Sequence, residues 1–561
     1  MAQHYQFIMK KITRILLVSL LAFSVLLSAC GKKTDFEHAS LGGNIPEEYM
    51  PGDTGILVSV SLLDDDQFEK ARILQDKMDS ENSFPMTFAE SFNSSFRDLN
   101  LDFEKDLVPA FGEQYRMVFG LKSLDENDAI LYGVATLADT AKMQSVIDTL
   151  VENDELKEKK LSQKDAYVNK SEDFYMAIVK DLLLFSNKPD GLVEMFEQNA
   201  KQSLWADDVY KKDIDKIGND QVAYVAFYPM KLEGSEELPL DSLTMGGDSG
   251  AMNSQVLVLR AAENGIAFDG YASMDKEKAD DLDASFANVP KEQAYLYKEV
   301  PAEDLIVYGE SYGLKQTLEN GKKVNPENVI YDGLERMVRN YTAMDFEDEV
   351  LTFMDKGYAL SIHKNSEGVL PGLSIYFDVS GDKDNAEKFV DKLDGQFTGL
   401  MTLLEMSLPG AVSKGTAEVN GQELTAIVVD LNAVPRTGPA PLPTALTGEP
   451  MKLIYGIVED RLLVTTANIW EDGGDTLAEN SEFKDLKANL EGVDEGMFYL
   501  DLNKLVSYYE SLEALREQLG LETTGSSQEL SDMFENFGPG VAMGDTNDYE
   551  IQFKGFLTIK E

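Results

Sequence analysis

Between residues 55 and 559 the chain spells out one series of segments twice, in the same order. GILVSVSLLDDDQFEKARIL (55–74), an apolar strand running into a helix, is matched by LIVYGESYGLKQTLENG (305–321). FEKDLVPAFGEQYRMVFG (103–120) is matched by FEDEVLTFMDKGYALSIH (346–363), each a Phe-Glu start, a helical turn and an alternating strand. ILYGVATLADTAKMQSVIDTLVE (130–152) and LSIYFDVSGDKDNAEKFVDKLDG (373–395) are both strand-helix units whose helical part carries apolar residues at three- and four-residue intervals. DLLLFSN (181–187) pairs with DRLLVTT (460–466), and the helix-strand segment 203–232 with 480–505. Each series ends in two strands joined by a turn, 256–274 and 543–559, the first around Asn264-Gly265, a strong hairpin signal. A series repeated in order is one folding unit written twice.

The strands alternate apolar and polar residues and are joined mostly by short connections. That pattern predicts an α+β fold of two tandem related modules, each a mainly antiparallel sheet with helices packed on one face. The expected division is 1–29 signal segment, 30–45 lipidated cysteine and tether, 46–289 first module and 290–561 second module, with the boundary near 290, before Pro301. Gly/Pro/Ser-rich stretches at 233–254, 434–450 and 519–530 read as surface loops within the modules.

The amino-terminal segment follows a different logic. From Met9 a basic stretch (Lys10, Lys11, Arg14) precedes an apolar run, Ile15 to Leu27, that is shorter than the ~20 residues a helix needs to span a bilayer. It ends in Leu27-Ser28-Ala29-Cys30, which resembles the bacterial lipoprotein signal. The resemblance implies cleavage before Cys30 and acylation of its sulfur (diacylglycerol, palmitate). Two or more acyl chains, at ~0.8 kcal/mol per buried CH₂, hold a protein on a membrane without spanning it. The expected location is therefore the extracytoplasmic side of a bacterial cell envelope, with the membrane as a partner through the lipid. The segment GKKTDFEHASLGGNI (31–45) reads as a short polar tether.

Composition narrows the chemistry. Against 100 Asp+Glu stand 50 Lys+Arg, a net charge of -50 with no basic stripe, so nucleic acid is excluded as a partner. A single cysteine excludes a disulfide framework and thiolate metal centres. The chain is 43% hydrophobic, enough for more than one core at ~150 residues per domain.

The segment LDFEKDLVPAFGEQYRMVF, followed by a strand-helix unit, DLLLFSNKPDGLVEMF and SLWADDVYKKDIDKIGNDQVAYVAFYPM, resembles an uncharacterised bacterial envelope family, the domain of unknown function numbered thirty-three fifty-two. On these motifs the resemblance covers roughly 46–400 and rests mainly on the first module, because Val350 to Phe353 replaces the Asp106-Leu107-Val108-Pro109 turn in the second. It implies an exported or membrane-anchored protein and brings no catalytic residues.

Of three histidines, His4 lies in the leader and His38 in the tether, which leaves His363 as the imidazole of the body; its place at a strand end reads as structural or surface. Gly309-Glu310-Ser311-Tyr312-Gly313, after an apolar strand and before a helix, is similar to the nucleophile elbow of α/β-hydrolases. Ser311, Asp345 or Asp355, and His363 would fill the order Ser, acid, His. Against it stand the lack of an HGGG-type oxyanion segment, the lack of a βαβ succession, and a first copy that reads Ser59-Val60-Ser61-Leu62-Leu63 at that place. Gly247-Asp248-Ser249-Gly250 imitates a protease serine segment inside a Gly/Ser-rich loop. Asp64-Asp65-Asp66 and Asp382-Lys383-Asp384-Asn385 suit calcium in their oxygen ligands but lack the EF-hand spacing, and at strand-to-helix transitions they read as caps. Trp205, Trp470, Tyr224 to Tyr228 and Tyr508-Tyr509 read as packing. The expectation is a non-enzymatic binding or scaffold protein without cofactor, catalytic set or metal site, whose partner is an envelope protein or small molecule. The alternatives are a Ser311 hydrolase and a divalent-cation-binding surface protein.

Overall fold

The structure is a computed structural model that describes residues 45–560 apart from 62–64, 79–100, 113–114, 124–128, 199–200, 218–220, 233–251, 282–294, 325–328, 366–370, 408, 431, 434–449, 467–468, 470–473, 491–492, 494, 519–530, 532–533 and 547–548. Cys30, the signal segment, the tether to residue 44, Asp64, the 247–250 segment, Trp470, most of the three expected loops and the expected boundary near 290 lie outside the described residues. The chain divides into two compact units, Met1–Lys278 and Ala279–Lys560.

Unit 1 contains β1 (Ile56–Ser61), β2 (Arg116–Leu121), β3 (Leu131–Thr136), β4 (Leu156–Leu161), β5 (Lys164–Asn169), β6 (Tyr175–Val179), β7 (Leu182–Ser186), β8 (Ala223–Phe227), β9 (Met252–Ala262) and β10 (Gly265–Met274). They pair antiparallel throughout, in the order β10-β9-β8-β1-β2-β3-β7-β6-β5-β4. Unit 2 contains β11 (Leu305–Ser311), β12 (Tyr358–His363), β13 (Gly372–Asp378), β14 (Val412–Val419), β15 (Gln422–Val429), β16 (Met451–Val458), β17 (Arg461–Thr465), β18 (Glu495–Asp501), β19 (Phe537–Thr546) and β20 (Glu550–Ile559). Their order is β20-β19-β18-β11-β12-β13-β17-β16-β15-β14, again all antiparallel. The second order is the first with every strand advanced by ten, so the duplication read from the sequence is a duplication of topology.

The helices follow the same plan. Unit 1 has α1 (Asp65–Met78), a π-turn at Phe103–Leu107 running into α2 (Val108–Phe111), α3 (Thr140–Glu152), α4 (Pro189–Glu197) and α5 (Asp208–Ile217). The division between the units falls within α6 (Lys276–Asp281). Unit 2 has α7 (Leu314–Val324), α8 (Val329–Thr342), a second π-turn at Phe346–Val350 running into α9 (Leu351–Met354), α10 (Lys383–Ser407), α11 (Ser481–Lys487) and α12 (Leu502–Gln518). Caps explain several starts: the Asp139 carboxylate accepts from Lys142 N at 3.0 Å, and Asn480 Oδ1 from Phe483 N at 2.9 Å. Such a cap contributes about 1 kcal/mol.

One expected detail differs. The α+β class and antiparallel pairing hold, but unit 1 carries helices on both faces of its sheet. Val134 of β3 joins Leu184, Leu192, Met195, Tyr210 and Ile217 under α4 and α5. Its neighbour Ala135 points the other way, to Met143, Val146, Ile147 and Leu150 of α3 and Ala110 of α2. A sheet covered twice needs strands apolar on both sides, which is why β7 reads Leu182-Leu183-Leu184 rather than alternating. The hairpin signal also moves. β9 and β10 close through Glu263-Asn264, with Gly265 already paired to Ala262, whereas the Asn-Gly turn with both residues left-handed is Asn420-Gly421, φ 49° and 75°, between β14 and β15.

Candidate functional site

The densest buried chemistry lies where the chain leads into unit 1. A single 3₁₀ turn, Pro46–Glu48, precedes β1, and its Glu47 side chain is fully buried. One of its oxygens, Oε1, collects three partners from three other elements. It forms an ion pair with Arg116 of β2, accepts a hydrogen bond from Tyr210 OH of α5 at 2.9 Å, and lies 3.4 Å from the donating Tyr224 OH of β8. The two phenol oxygens are 3.0 Å apart, Arg116 Nη2 donates to Tyr224 OH at 3.3 Å, and Arg116 Nε donates to the buried Ser59 Oγ of β1 at 3.3 Å. Trp205 stands edge-on to Tyr210, ring centres 6.3 Å apart.

The electrostatics follow from burial with charge. Desolvation alone would lower the Arg116 pKa, yet the adjacent Glu47 carboxylate, with Tyr224 and Tyr210, outweighs it and keeps the guanidinium charged. Burial first, then Glu47, pushes Tyr224 up to about 12 and Tyr210 well above its ordinary value. The group holds no activated nucleophile. What it does is fix the lead-in turn to β2, α5 and β8 at once.

Comparison of the two units shows that the fold itself does not require this cluster. Pro51 bridges Ser203 as Pro301 bridges Thr476, and the flanking bonds Leu204 N to Met50 O and Leu477 N to Val300 O match. By the same offsets Tyr297 stands for Glu47, and Phe483 stands for Tyr210. Tyr358 faces Ser311 as Arg116 faces Ser61, and Phe498 faces Gly309 as Tyr224 faces Ser59. Unit 2 pins its own lead-in turn, Leu296–Lys298, by another route. Glu310 of β11 accepts from Tyr297 N at 3.1 Å and from Tyr308 OH at 2.7 Å, while Lys487 Nζ donates to Tyr297 OH at 2.7 Å. Desolvation raises the Glu310 pKa, and with Glu310 nearby it raises Tyr308 further.

A second polar group sits in the unit 1 core. Asp213 of α5 is 1% exposed; Ser254 Oγ donates to its Oδ1 at 3.2 Å, Ser254 and Ser273 hydroxyls are 2.9 Å apart, and Tyr271 OH donates to its backbone carbonyl at 2.7 Å. Desolvation raises Asp213 to about 6, against the hydrogen bond from Ser254 and the charge of Lys216. The unit 2 counterpart by offset is Leu486, also buried.

The residues singled out by sequence fall elsewhere. Ser311 pairs with Tyr358 and His363 pairs with Leu305, at opposite ends of the β11–β12 ladder; six residues at ~3.3 Å each separate them by about 20 Å. The serine-hydrolase arrangement is therefore not assembled. Asp355 accepts Lys315 N at 3.2 Å at the start of α7, and Asp345 accepts Glu347 N and Asp348 N at the π-turn, so both candidate acids are caps. His363 is 1% exposed, and its Nε2 donates to Pro301 O at 3.0 Å. Burial lowers its pKa to about 4, so it is a neutral structural residue. Asp382 accepts from Asn385 N at 3.3 Å, from its side chain at 2.8 Å and from Thr352 Oγ1 at 2.9 Å, heading α10; Asp66 pairs with Lys70 at 2.5 Å. Among the described residues no group of three or more potential metal ligands occurs. Tyr224 and Tyr228 are core residues, as expected, but the Tyr224 hydroxyl belongs to the cluster. Glu47, Arg116 and Tyr210 were not singled out; the signal that would find them is a charge or phenol in one copy where the other is aromatic.

The family described as "Protein of unknown function (DUF3352)" matches residues 12–557, both units rather than the first alone. No curated protein matches the chain. Two solved structures, crystal forms I and III of TP0453, are each 8% identical at a TM-score of 0.24, covering 42% of this chain and 80% and 81% of theirs, a likeness too slight to carry any argument. Among the described residues no helix is long and apolar enough to cross a membrane.

Proposed function

The chain belongs to the DUF3352 family, and from that premise we propose that it is a lipid-anchored, extracytoplasmic protein of the bacterial envelope that binds or scaffolds a partner without catalysis. The observation that carries this reading is the clamp on the turn at Pro46–Glu48. A protein held by acyl chains on Cys30 takes that load into unit 1 at the turn Pro46–Glu48, the first described one, and that turn is tied through Glu47 to β2, α5 and β8. Unit 2, the copy farther along the chain from Cys30, carries Tyr297 at that place and so has no carboxylate there to pair. The non-catalytic part is supported by the one imidazole of the body being neutral, buried and occupied by a backbone carbonyl.

Mass spectrometry of the mature amino terminus from membranes tests the anchor: a diacylated Cys30 is expected, and an unmodified leader overturns it. Co-purification from detergent-solubilised membranes tests the binding role, with a recurrent protein or a retained small molecule expected. Labelling by a fluorophosphonate probe would overturn the non-enzymatic reading. The divalent-cation reading predicts a melting temperature that falls on adding chelator; an unchanged value is expected, since the Asp382 oxygens already accept protein donors.

A further inference from the structure

The two units differ most plainly in one helix. After the third strand of its unit, α3 runs 13 residues and ends at Glu152, whereas α10 runs 25 residues and ends at Ser407. The first half of α10 is core: Ala386 is fully buried, with Phe389 and Val390 packed beside it. Its middle is fastened to the sheet by Phe397 against Tyr455, ring centres 5.4 Å apart, by Tyr455 OH donating to Asp394 at 2.9 Å, and by the Lys414–Asp394 ion pair at 2.6 Å. Beyond that point the packed stripe thins to the half-buried Met401 and Leu404, and the opposite side of the helix turns outward. Leu400, Leu403 and Met406 are 49%, 64% and 79% exposed. Residues 395–404, GQFTGLMTLL, contain no charge in a chain of net charge -50, and the one charge in the last turn, Glu405, is directed to the chain after the helix, where it accepts from Gly410 N at 3.1 Å.

We propose that this last stretch of α10 lies in the interface of a neutral lipid bilayer, with Leu400, Leu403 and Met406 dipping among the acyl chains. A second copy of the chain is the weaker occupant on two counts. Three such side chains expose on the order of 400 Å², about half of what each partner of a stable dimer contributes. Two bodies of this charge also repel one another, whereas a zwitterionic surface does not. An interfacial helix needs an apolar face of a few side chains and gains affinity from each one buried. The absence of Lys and Arg from 395–404 selects neutral over anionic headgroups. The inference rests on the envelope location proposed above, since a surface-held protein meets its own membrane at high local concentration.

The chain's single cysteine makes the test local. In full-length protein carrying Cys30→Ser, an NBD fluorophore is placed at Met406→Cys, or at exposed Asp391→Cys on the same helix as a control. Phosphatidylcholine vesicles should shift the Met406→Cys emission to the blue and brighten it, leaving Asp391→Cys unchanged. Adding Leu400→Glu should weaken that vesicle response by on the order of tenfold or more, the loss expected for one buried side chain. No vesicle response at position 406 overturns the proposal, as does an equal response at 391. A shift without vesicles that grows with protein concentration overturns it in favour of a second copy. A shift without vesicles at every concentration, abolished by deleting residues 434–449, overturns it in favour of that segment as the cover. Because Cys30 is replaced throughout, failure of acylation in the wild-type protein and failure of helix insertion are read separately.

Discussion

The Glu47–Arg116 pair is a sharp place to disturb unit 1. Replacing Arg116 by Met leaves the Glu47 carboxylate fully buried, with the Tyr210 and Tyr224 hydroxyls as its remaining side-chain donors among the described residues. Breaking a buried pair in that way costs about 3–5 kcal/mol, because the stranded charge has lost its counter-ion and cannot reach water. Replacing Glu47 by Gln is milder. Arg116 keeps 18% of its side-chain exposure and can turn toward solvent, so a cost of about 1–2 kcal/mol is expected. In the double variant neither charge is left unpaired, and the loss should fall short of the two single losses added together by about 2 kcal/mol. The readout is urea unfolding followed by Trp205, which packs on Tyr210, in a Trp470→Phe background so that the chain's other tryptophan is silent. A single-probe transition for unit 1 is needed because a two-unit chain does not unfold in one step. An Arg116→Met loss below about 1 kcal/mol, or a cycle additive to within ~0.5 kcal/mol, would refute the reasoning.

Three further outcomes follow from buried groups and open space. Asp213, raised by desolvation to about 6 in the fold against ~3.9 unfolded, contributes stability present below ~3.9 and lost as pH rises through about 6. Asp213→Asn should therefore gain on wild type by about 2–3 kcal/mol between pH 4 and 7 in unit 1 unfolding, and a pH-independent difference sinks the burial argument. His363 runs the other way: lowered by burial to about 4 from ~6.5 unfolded, it contributes stability present above ~6.5 and lost as pH falls through about 4. NMR titration of its ring should find it neutral at pH 5, and a midpoint near the ordinary value would refute its structural assignment. Gly399→Ala should stabilise α10 by about 0.5–1 kcal/mol in thermal unfolding, since a Cβ there meets nothing within 4 Å and helical glycine is costly in backbone entropy; a loss would mean the site needs glycine.

How far the sequence could be read depended on whether a signal was local or relational. Strands, helices and their order were legible because apolar periodicity is written in neighbouring residues, and doubling it let one copy check the other; the paired segments land on corresponding elements throughout. The second helical layer on the unit 1 sheet was hidden because β1 places Ser59 and Ser61 in the interior, 0% and 3% exposed, where an alternating reading sends them to solvent. Ser59 is inside because the guanidinium of Arg116 gives it a partner. The Asn264-Gly265 turn slipped by one residue because a strand can begin on a glycine as readily as a turn can end on one.

The cluster around Glu47 was invisible for a more instructive reason. Its members lie in four elements spread from residue 47 to residue 224, and in sequence each looks ordinary: one acid among 100, one basic residue among 50, a tyrosine in a charged amphipathic helix and another in an apolar strand. Only the register of β1 against β2 and β8, together with the bridge from Pro51 to Ser203, brings them to one oxygen. The duplication then separates scaffold from specialisation. Residues alike in both units, such as the bridging prolines, are what the topology demands. Where one copy has an ion pair and the other has aromatic rings, the fold tolerates either, so the charge must answer to something particular to that copy. In this chain the particular thing is position: the ion pair holds the first described turn of the chain, in unit 1, and the same comparison, applied to α3 against α10, picks out the longer helix with its exposed apolar end as what is particular to unit 2.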